Sequence, residues 1–334
     1  MDFMVNMLFS ILIAFGITFV AAKIIIPLLR KAKAGQHVRD DGPQTHLVKE
    51  GTPTMGGIIM LIGIVATSFI FSSGDIRYTV FAVVTVLAFS VIGFLDDGLK
   101  LFKKRSLGLR AWQKIVLQLV AAAVVACLAY FWLDIKTVLI PIAGTEWQLG
   151  AGFIPFTMFV LIAMVNSVNL TDGLDGLATG ITLINSATFI LIFIFSVLGA
   201  ALISPEIQAD MSNMTMFAAA VLGTCIAFLC FNAYPAKVFM GDTGSFLLGA
   251  ALTAMGIATE MQLFLPIMGF MFVLSAISVI IQVGSFKLRG KRVFRMAPLH
   301  HHFELAGVPE TKVVSGYMAA TMLLSVGGLL FFFA

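Results

Sequence analysis

Residues 166–180 read Asn166-Ser-Val-Asn169-Leu-Thr-Asp172-Gly-Leu-Asp175-Gly-Leu-Ala-Thr-Gly180, and they join two long apolar runs, Phe153–Val168 and Leu177–Leu202. An apolar run approaching 20 residues is long enough to cross a bilayer as a helix. Two such runs with a short polar joint predict a helical hairpin in a membrane, its turn carrying two aspartates and two asparagines. Gly173 and Gly176, each directly after an aspartate, supply tight turns. Carboxylates at a membrane edge are costly unless something cationic accompanies them. An aspartate at a helix start can simply cap backbone N–H groups. That explains one aspartate, but not two with Asn166 and Asn169 just upstream. The segment therefore reads as the floor of a site on which other polar motifs converge.

The same pattern continues in both directions. Of 334 residues, 60% are hydrophobic and 11% charged, against about 25% charged in a soluble domain. The chain is expected to be an all-α polytopic membrane protein, a single integral domain over residues 1–334. Its apolar runs are continuous, where a membrane barrel shows short alternating segments. Ten transmembrane helices are expected: Phe3–Leu29, Gly56–Ser72, Thr79–Leu95, Trp112–Leu133, Phe153–Val168, Leu177–Leu202, Met216–Phe231, Ser245–Thr259, Leu263–Phe286 and Val313–Ala334. Glu260 and Gln262 divide a stretch, Ser245–Phe286, that is too long for one span. The first run is read as a retained span, not a cleaved signal. Cys127, Cys225 and Cys230 lie inside apolar runs and read as small buried hydrophobes. Residues around Gly144–Gly152 are expected to form a small hairpin.

Orientation follows from the basic residues. The alternate loops Arg30–Thr54, Lys100–Lys114, Asn169–Gly176, Ala233–Asp242 and Lys287–Lys312 hold 18 of the 21 Lys and Arg. These loops are expected on the cytoplasmic face, which places both termini outside. Asp96, Asp97, Asp172, Asp175, Asp242 and His300-His301-His302 fall on that same face, although the sorting used only basic residues.

Each motif has a chemical reading and a bland one. Asp96-Asp97-Gly98 can bind a divalent cation or offer a base, and is also a common turn sequence. Phe239-Met-Gly241-Asp242-Thr-Gly244-Ser245 enters a helix whose free N–H groups suit phosphate. Asp242 would repel that phosphate unless a metal bridges them, which points to Mg²⁺, an ion of carboxylate and phosphate oxygens. Pro298-Leu-His-His-His-Phe-Glu304 suits hydrogen bonding to phosphate or a leaving group better than zinc, because adjacent side chains point apart. Lys49 lies in a Gly/Pro-rich turn and is available for an anion; loop punctuation explains that turn equally well. Lys100 and Lys114 flank the Asp96–Asp97 pair, and positive-inside topology alone accounts for them. Together the set suits attack of one phosphate on another with a metal neutralising the diphosphate. One substrate should be lipidic, and no nucleic acid partner is expected.

In this order the motifs closely resemble the polyprenyl-phosphate N-acetylhexosamine 1-phosphate transferases, over essentially the whole chain. Asn169–Gly176 and Pro298–Glu304 are similar to the branch of that superfamily that uses UDP-MurNAc-pentapeptide. The resemblance implies transfer of phospho-MurNAc-pentapeptide to undecaprenyl phosphate, giving lipid I and UMP, in a bacterial cytoplasmic (inner) membrane. It implies Asp242 as the Mg²⁺ ligand, Asp96 nearest the attacking phosphate and Asp97 in support. Asn169, Asp172, Asp175, Asn232 and Phe239 are implied as nucleotide-pocket residues, with Phe239 stacking on uracil. Lys49, Lys114 and His301 are implied as phosphate contacts, with His300 and His302 beside the substrate. A homodimer is implied as well. The alternatives are a relative using UDP-GlcNAc and, from another class, an ion-coupled transporter. The acids gather at one face and no inverted repeat is seen, which argues against the transporter.

Overall fold

Backbone polar groups inside a bilayer have to be satisfied within their own segment, so apolar runs of this length fold as helices. The computed structural model describes residues 2–32, 51–103, 108–141, 145–200 and 205–333. Its helices are α1 (Asp2–Lys31), α2 (Gly57–Phe71), α3 (Arg77–Lys103), α4 (Ala111–Cys127), α5 (Phe153–Thr171), α6 (Leu177–Ala200), α7 (Pro205–Asn232), α8 (Gly241–Ala258), α9 (Leu265–Met268), α10 (Phe270–Arg289), α11 (Leu299–Leu305) and α12 (Glu310–Phe333). Among the described residues, eight helical segments are long and apolar enough to cross a membrane: those of α1, α3, α4, α5, α6, α7, α10 and α12. The fold is thus that of an all-α polytopic membrane protein.

The bundle is built around α8. Every residue of α8 from Thr243 to Ala258 is buried. It is packed by α2, α3, α5, α6 and α7. Lipid tails are as apolar as leucine, so such helices associate by close packing and small residues. The sequence supplies those residues where backbones meet. A Cβ added at Gly57 would lie 2.2 Å from the backbone nitrogen of Gly244, and one at Gly93 would lie 2.3 Å from the carbonyl oxygen of Asp242. These two contacts bring α2 and α3 against the first turn of α8. Outside this centre, Phe159, Ile280 and Leu323 point outward, each at least 69% exposed, as expected of lipid-facing positions.

Several features depart from the sequence reading. The Asp-Asp-Gly motif does not end α3, which runs on to Lys103. The turn residues are outvoted because Asp96, Asp97 and Lys100 pair along the helix at three- and four-residue spacings. The expected span Leu263–Phe286 is split, because Pro266 opens the short α9 and Gly269 ends it. The hairpin lies earlier than expected, in strands β1 (Thr137–Ile140) and β2 (Thr145–Gln148), paired antiparallel with Val138 opposite Trp147. It sits beyond the far end of α4 and is tied to the α8–α9 turn by Leu139 N–H donating to the carbonyl of Glu260 (2.8 Å). The three cysteines are free; Cys225 is buried as expected, whereas Cys230 is exposed on the side of α7.

Candidate functional site

The polar motifs meet where α3 ends, α4 and α8 begin and α5 ends. Two aspartates in adjacent positions point from α3 toward α8, both almost completely buried (Asp96 1% and Asp97 3% exposed). Asp242 projects from the first turn of α8. One carboxylate oxygen from each of Asp96, Asp97 and Asp242 lies within 4.8 Å of the other two. Among the described residues this is the one group of His, Cys, Asp or Glu side chains placed to hold a metal ion. An all-oxygen set of carboxylates suits a hard divalent cation and suits zinc or copper poorly.

Two lysines cross the acids. Lys100 Nζ is 2.6 Å from Asp96 Oδ2 and 3.4 Å from both Asp97 Oδ1 and Asp242 Oδ2. Lys114, from the first turn of α4, is 2.6 Å from Asp242 Oδ2 and 3.2 Å from Asp96 Oδ1. Its ammonium also lies 5.5 Å from the ring centre of Phe246. The Asn169 amide donates to Asp242 Oδ1 (3.0 Å) and to Ser245 Oγ (2.9 Å). Leu109 N–H donates to Asp96 Oδ1 (2.9 Å). The three acids thus have unequal surroundings: Asp96 and Asp242 each face both lysines, whereas Asp97 faces Lys100 alone and is held chiefly by the start of α8.

That engagement changes the reading of the α8 terminus, which the sequence offers as a phosphate cradle. Asp97 Oδ2 accepts the Thr243 N–H (2.9 Å) and the Thr243 hydroxyl (2.8 Å), and Oδ1 accepts the Asp242 N–H (3.2 Å). A carboxylate of the protein itself already fills the anion position at this helix end.

The α5–α6 turn lies alongside. Asp172 ends α5 and is half-buried. Asp175 is buried (4% exposed), and its Oδ2 accepts the Ala236 N–H (2.9 Å) from the α7–α8 loop. Asn232 holds the same loop, with Nδ2 donating to the Val238 carbonyl (3.0 Å) and Oδ1 accepting the Thr179 hydroxyl (3.0 Å). Phe239 is half-buried. Its backbone pairs with the segment before α2, Phe239 N–H to the Pro53 carbonyl (2.8 Å) and Gly56 N–H to the Phe239 carbonyl (2.9 Å). The glycine- and proline-rich turn is therefore a partner of the Asp242 loop. Lys49 lies outside the described residues.

The three histidines sit on α11, and the expectation that adjacent ones point apart holds for His302 but not for His300 and His301, whose rings converge. His300 is fully buried, packed at 4.2 Å between ring centres against His301. Both reach the turn: a Cβ on Gly173 would fall 2.3 Å from His300 Nε2 and 3.0 Å from His301 Nε2. His301 Nδ1 is 2.7 Å from Glu304 Oε2. His302 turns away and accepts the Arg295 N–H on Nδ1 (3.1 Å). Lys100 and Thr243 are the site residues absent from the sequence-based set. Lys100 had a signal in its spacing of four from Asp96. Asn166 does not join the acids; it donates to Gln118 Oε1 (2.7 Å), tying α5 to α4.

The model of glycosyl transferase family 4 matches residues 78–260. A phospho-N-acetylmuramoyl-pentapeptide-transferase of Clostridioides difficile (strain 630) is 47% identical over 320 residues, covering 95% of each chain. That of Clostridium novyi (strain NT) is 43% identical over 325 residues, covering 97% of this chain and 96% of its own. That of Caldanaerobacter subterraneus subsp. tengcongensis is 43% identical over 321 residues, covering 95% and 96%.

Proposed function

Because this chain belongs to glycosyl transferase family 4, among the phospho-N-acetylmuramoyl-pentapeptide-transferases, we propose the following reaction. The protein transfers phospho-MurNAc-pentapeptide from UDP-MurNAc-pentapeptide to undecaprenyl phosphate, giving lipid I and UMP for peptidoglycan synthesis. The observation that carries the reading is the trio Asp96, Asp97 and Asp242 crossed by Lys100 and Lys114. Charge is concentrated there at one end of a membrane bundle, where a lipid phosphate and a soluble nucleotide can both arrive.

Asp242 and Asp96 would hold Mg²⁺, which neutralises charge on the diphosphate when bound. A phosphate monoester has a second pKa near 6, so the acceptor arrives mostly dianionic at neutral pH. Asp96 then positions the acceptor or removes a residual proton, and the acceptor oxygen attacks the sugar-linked phosphorus directly, expelling UMP. Lys100 and Lys114, already beside the acids, hold the phosphate charge as the bond breaks, with Lys49 and His301 as further phosphate contacts. Asn169 fixes the orientation of the Asp242 carboxylate. Asp97 supports the trio by holding the start of α8. Asp172, Asp175, Asn232 and Phe239 shape the nucleotide pocket, Phe239 offering its ring to uracil, with His300 and His302 in the adjoining wall. The bundle spans the bacterial inner membrane ten times, α2 and α8 adding to the eight segments named above. Both termini lie outside, the site lies on the cytoplasmic face, and two copies pair.

The test is UMP release by the purified protein with Mg²⁺, undecaprenyl phosphate and UDP-MurNAc-pentapeptide. UDP-GlcNAc in place of the muramoyl nucleotide should give no product. Turnover with UDP-GlcNAc alone would assign the chain to a different branch.

A further inference from the structure

The α5–α6 turn is gripped from a direction that the reaction does not require. Asp175 is buried, and a buried backbone N–H needs a partner. Its N–H does not bond within the turn. It donates to Oε1 of Glu310 at 2.7 Å, across 135 residues of sequence. Glu310 is the first residue of α12, a place where an acid ordinarily serves its own helix end. Here one of its oxygens serves another segment. The bond continues in series: Asp175 Oδ2 accepts the N–H of Ala236, in the loop that leads through Phe239 to Asp242. Two carboxylates, each holding a backbone N–H of the next segment, thus link α12 to the turn and the turn to the α7–α8 loop.

We propose that Glu310 is a positioning residue for the nucleotide half of the substrate. It acts through Asp175 and does not touch the carboxylate trio. The inference rests on the reading above that Asp172, Asp175, Asn232 and Phe239 shape the nucleotide pocket. An acceptor with formal charge makes a short, strong bond to an N–H, so Glu310 fixes where the turn sits before any nucleotide arrives. The lipid phosphate, expected beside Asp96, is not addressed by this link.

Two mild substitutions separate the role from a structural one. Glu310→Gln keeps the acceptor oxygen and loses the charge at the start of α12. Glu310→Asp keeps that charge but is one methylene too short to reach Asp175. Positioning predicts that Glu310→Asp raises KM for UDP-MurNAc-pentapeptide about tenfold, the size of one lost hydrogen bond of this kind. Its kcat and its KM for undecaprenyl phosphate stay near wild type, and Glu310→Gln, which keeps a weaker neutral acceptor, raises the same KM by less than Glu310→Asp does. The proposal is overturned if Glu310→Gln is the more impaired variant, if both behave as wild type, or if both substrates lose affinity together with thermal midpoint. Binding of UMP alone, measured by calorimetry on the same three proteins, keeps the test independent of turnover. A wild type that binds UMP but releases none from UDP-MurNAc-pentapeptide sinks the reaction assigned above, while the order of the two variants in UMP affinity still decides the role of Glu310.

Discussion

Asp97 and Thr243 lie 146 residues apart, yet one oxygen of the first accepts both the N–H and the hydroxyl of the second, at 2.9 and 2.8 Å. The bond joins the end of α3 to the start of α8 with both partners buried. Asp97→Ala leaves those donors without a partner and should destabilise the protein by about 1–3 kcal/mol, besides lowering turnover. Thr243→Val removes only the hydroxyl and should cost less. Thermal unfolding followed by intrinsic fluorescence checks the order; equal midpoints for wild type and Asp97→Ala would remove the capping role.

Asp242→Ala should abolish turnover and also the Mg²⁺ dependence of nucleotide binding, because it removes the acid that faces both lysines and Asn169. Calorimetry with and without Mg²⁺ reads the second effect. Near-normal UMP release would take the metal away from Asp242.

Lys100 touches all three acids, whereas Lys114 touches two. Without a metal, Lys100→Gln leaves the three carboxylates with a single lysine, which touches only Asp96 and Asp242. The variant should have a lower thermal midpoint than wild type in chelator, and Mg²⁺ should restore more of it than it adds to wild type, because ligand binding stabilises only the folded state. Equal Mg²⁺ responses in the two proteins would argue against an ion among these acids.

Gly173→Ala should separate the histidine helix from the α5–α6 turn. Its Cβ would lie 2.3 Å from a ring nitrogen of the fully buried His300, which has no room to retreat. Overpacking of this kind costs about 1–3 kcal/mol, and activity should fall with it. Gly98→Ala in α3, whose Cβ meets nothing within 4 Å, is the control and should fold at least as stably as wild type. Wild-type activity in Gly173→Ala would show that His300 and the turn are not coupled.

At the other end of the bundle, burial pushes the Glu260 carboxyl above its ordinary range, opposed in part by the Thr137 hydroxyl that it accepts. A raised folded-state pKa in an acid means that the charged form opposes folding. Stability is therefore lost as pH rises through that pKa and is regained on acidification. Glu260→Gln should raise the thermal midpoint at pH 7.5, and the gain should shrink as the pH falls toward the ordinary glutamate range. A gain that does not change with pH would assign the effect to packing.

Much of this architecture is legible in the sequence because the bilayer sets few rules. Length and apolarity fix the helices, and the distribution of Lys and Arg gathers Asp96, Asp97, Asp242 and the histidines on one face before any geometry is known. What stays hidden is direction. Asp97 reads like Asp96, and only packing at Gly93 turns one into a cap on α8 and leaves the other to the lysines. Asn232 reads as a pocket residue, whereas the fold places its amide between Thr179 and Val238. Glu310 follows a proline at a helix start, where an acid is ordinary, and nothing local shows that it reaches Asp175.

The burial of α8 sets which parts of the molecule are able to yield. A helix enclosed by five neighbours from Thr243 to Ala258 can neither slide nor turn without dragging the bundle with it. Asp242 is thus a fixed reference point. The room that a bulky peptide-bearing nucleotide needs has to come from the perimeter, where α10, α11 and α12 expose their outer sides. Substrate then approaches a stationary acid from that exposed perimeter, and substitutions in α10, α11 and α12 should alter which substrates enter before they alter the chemistry.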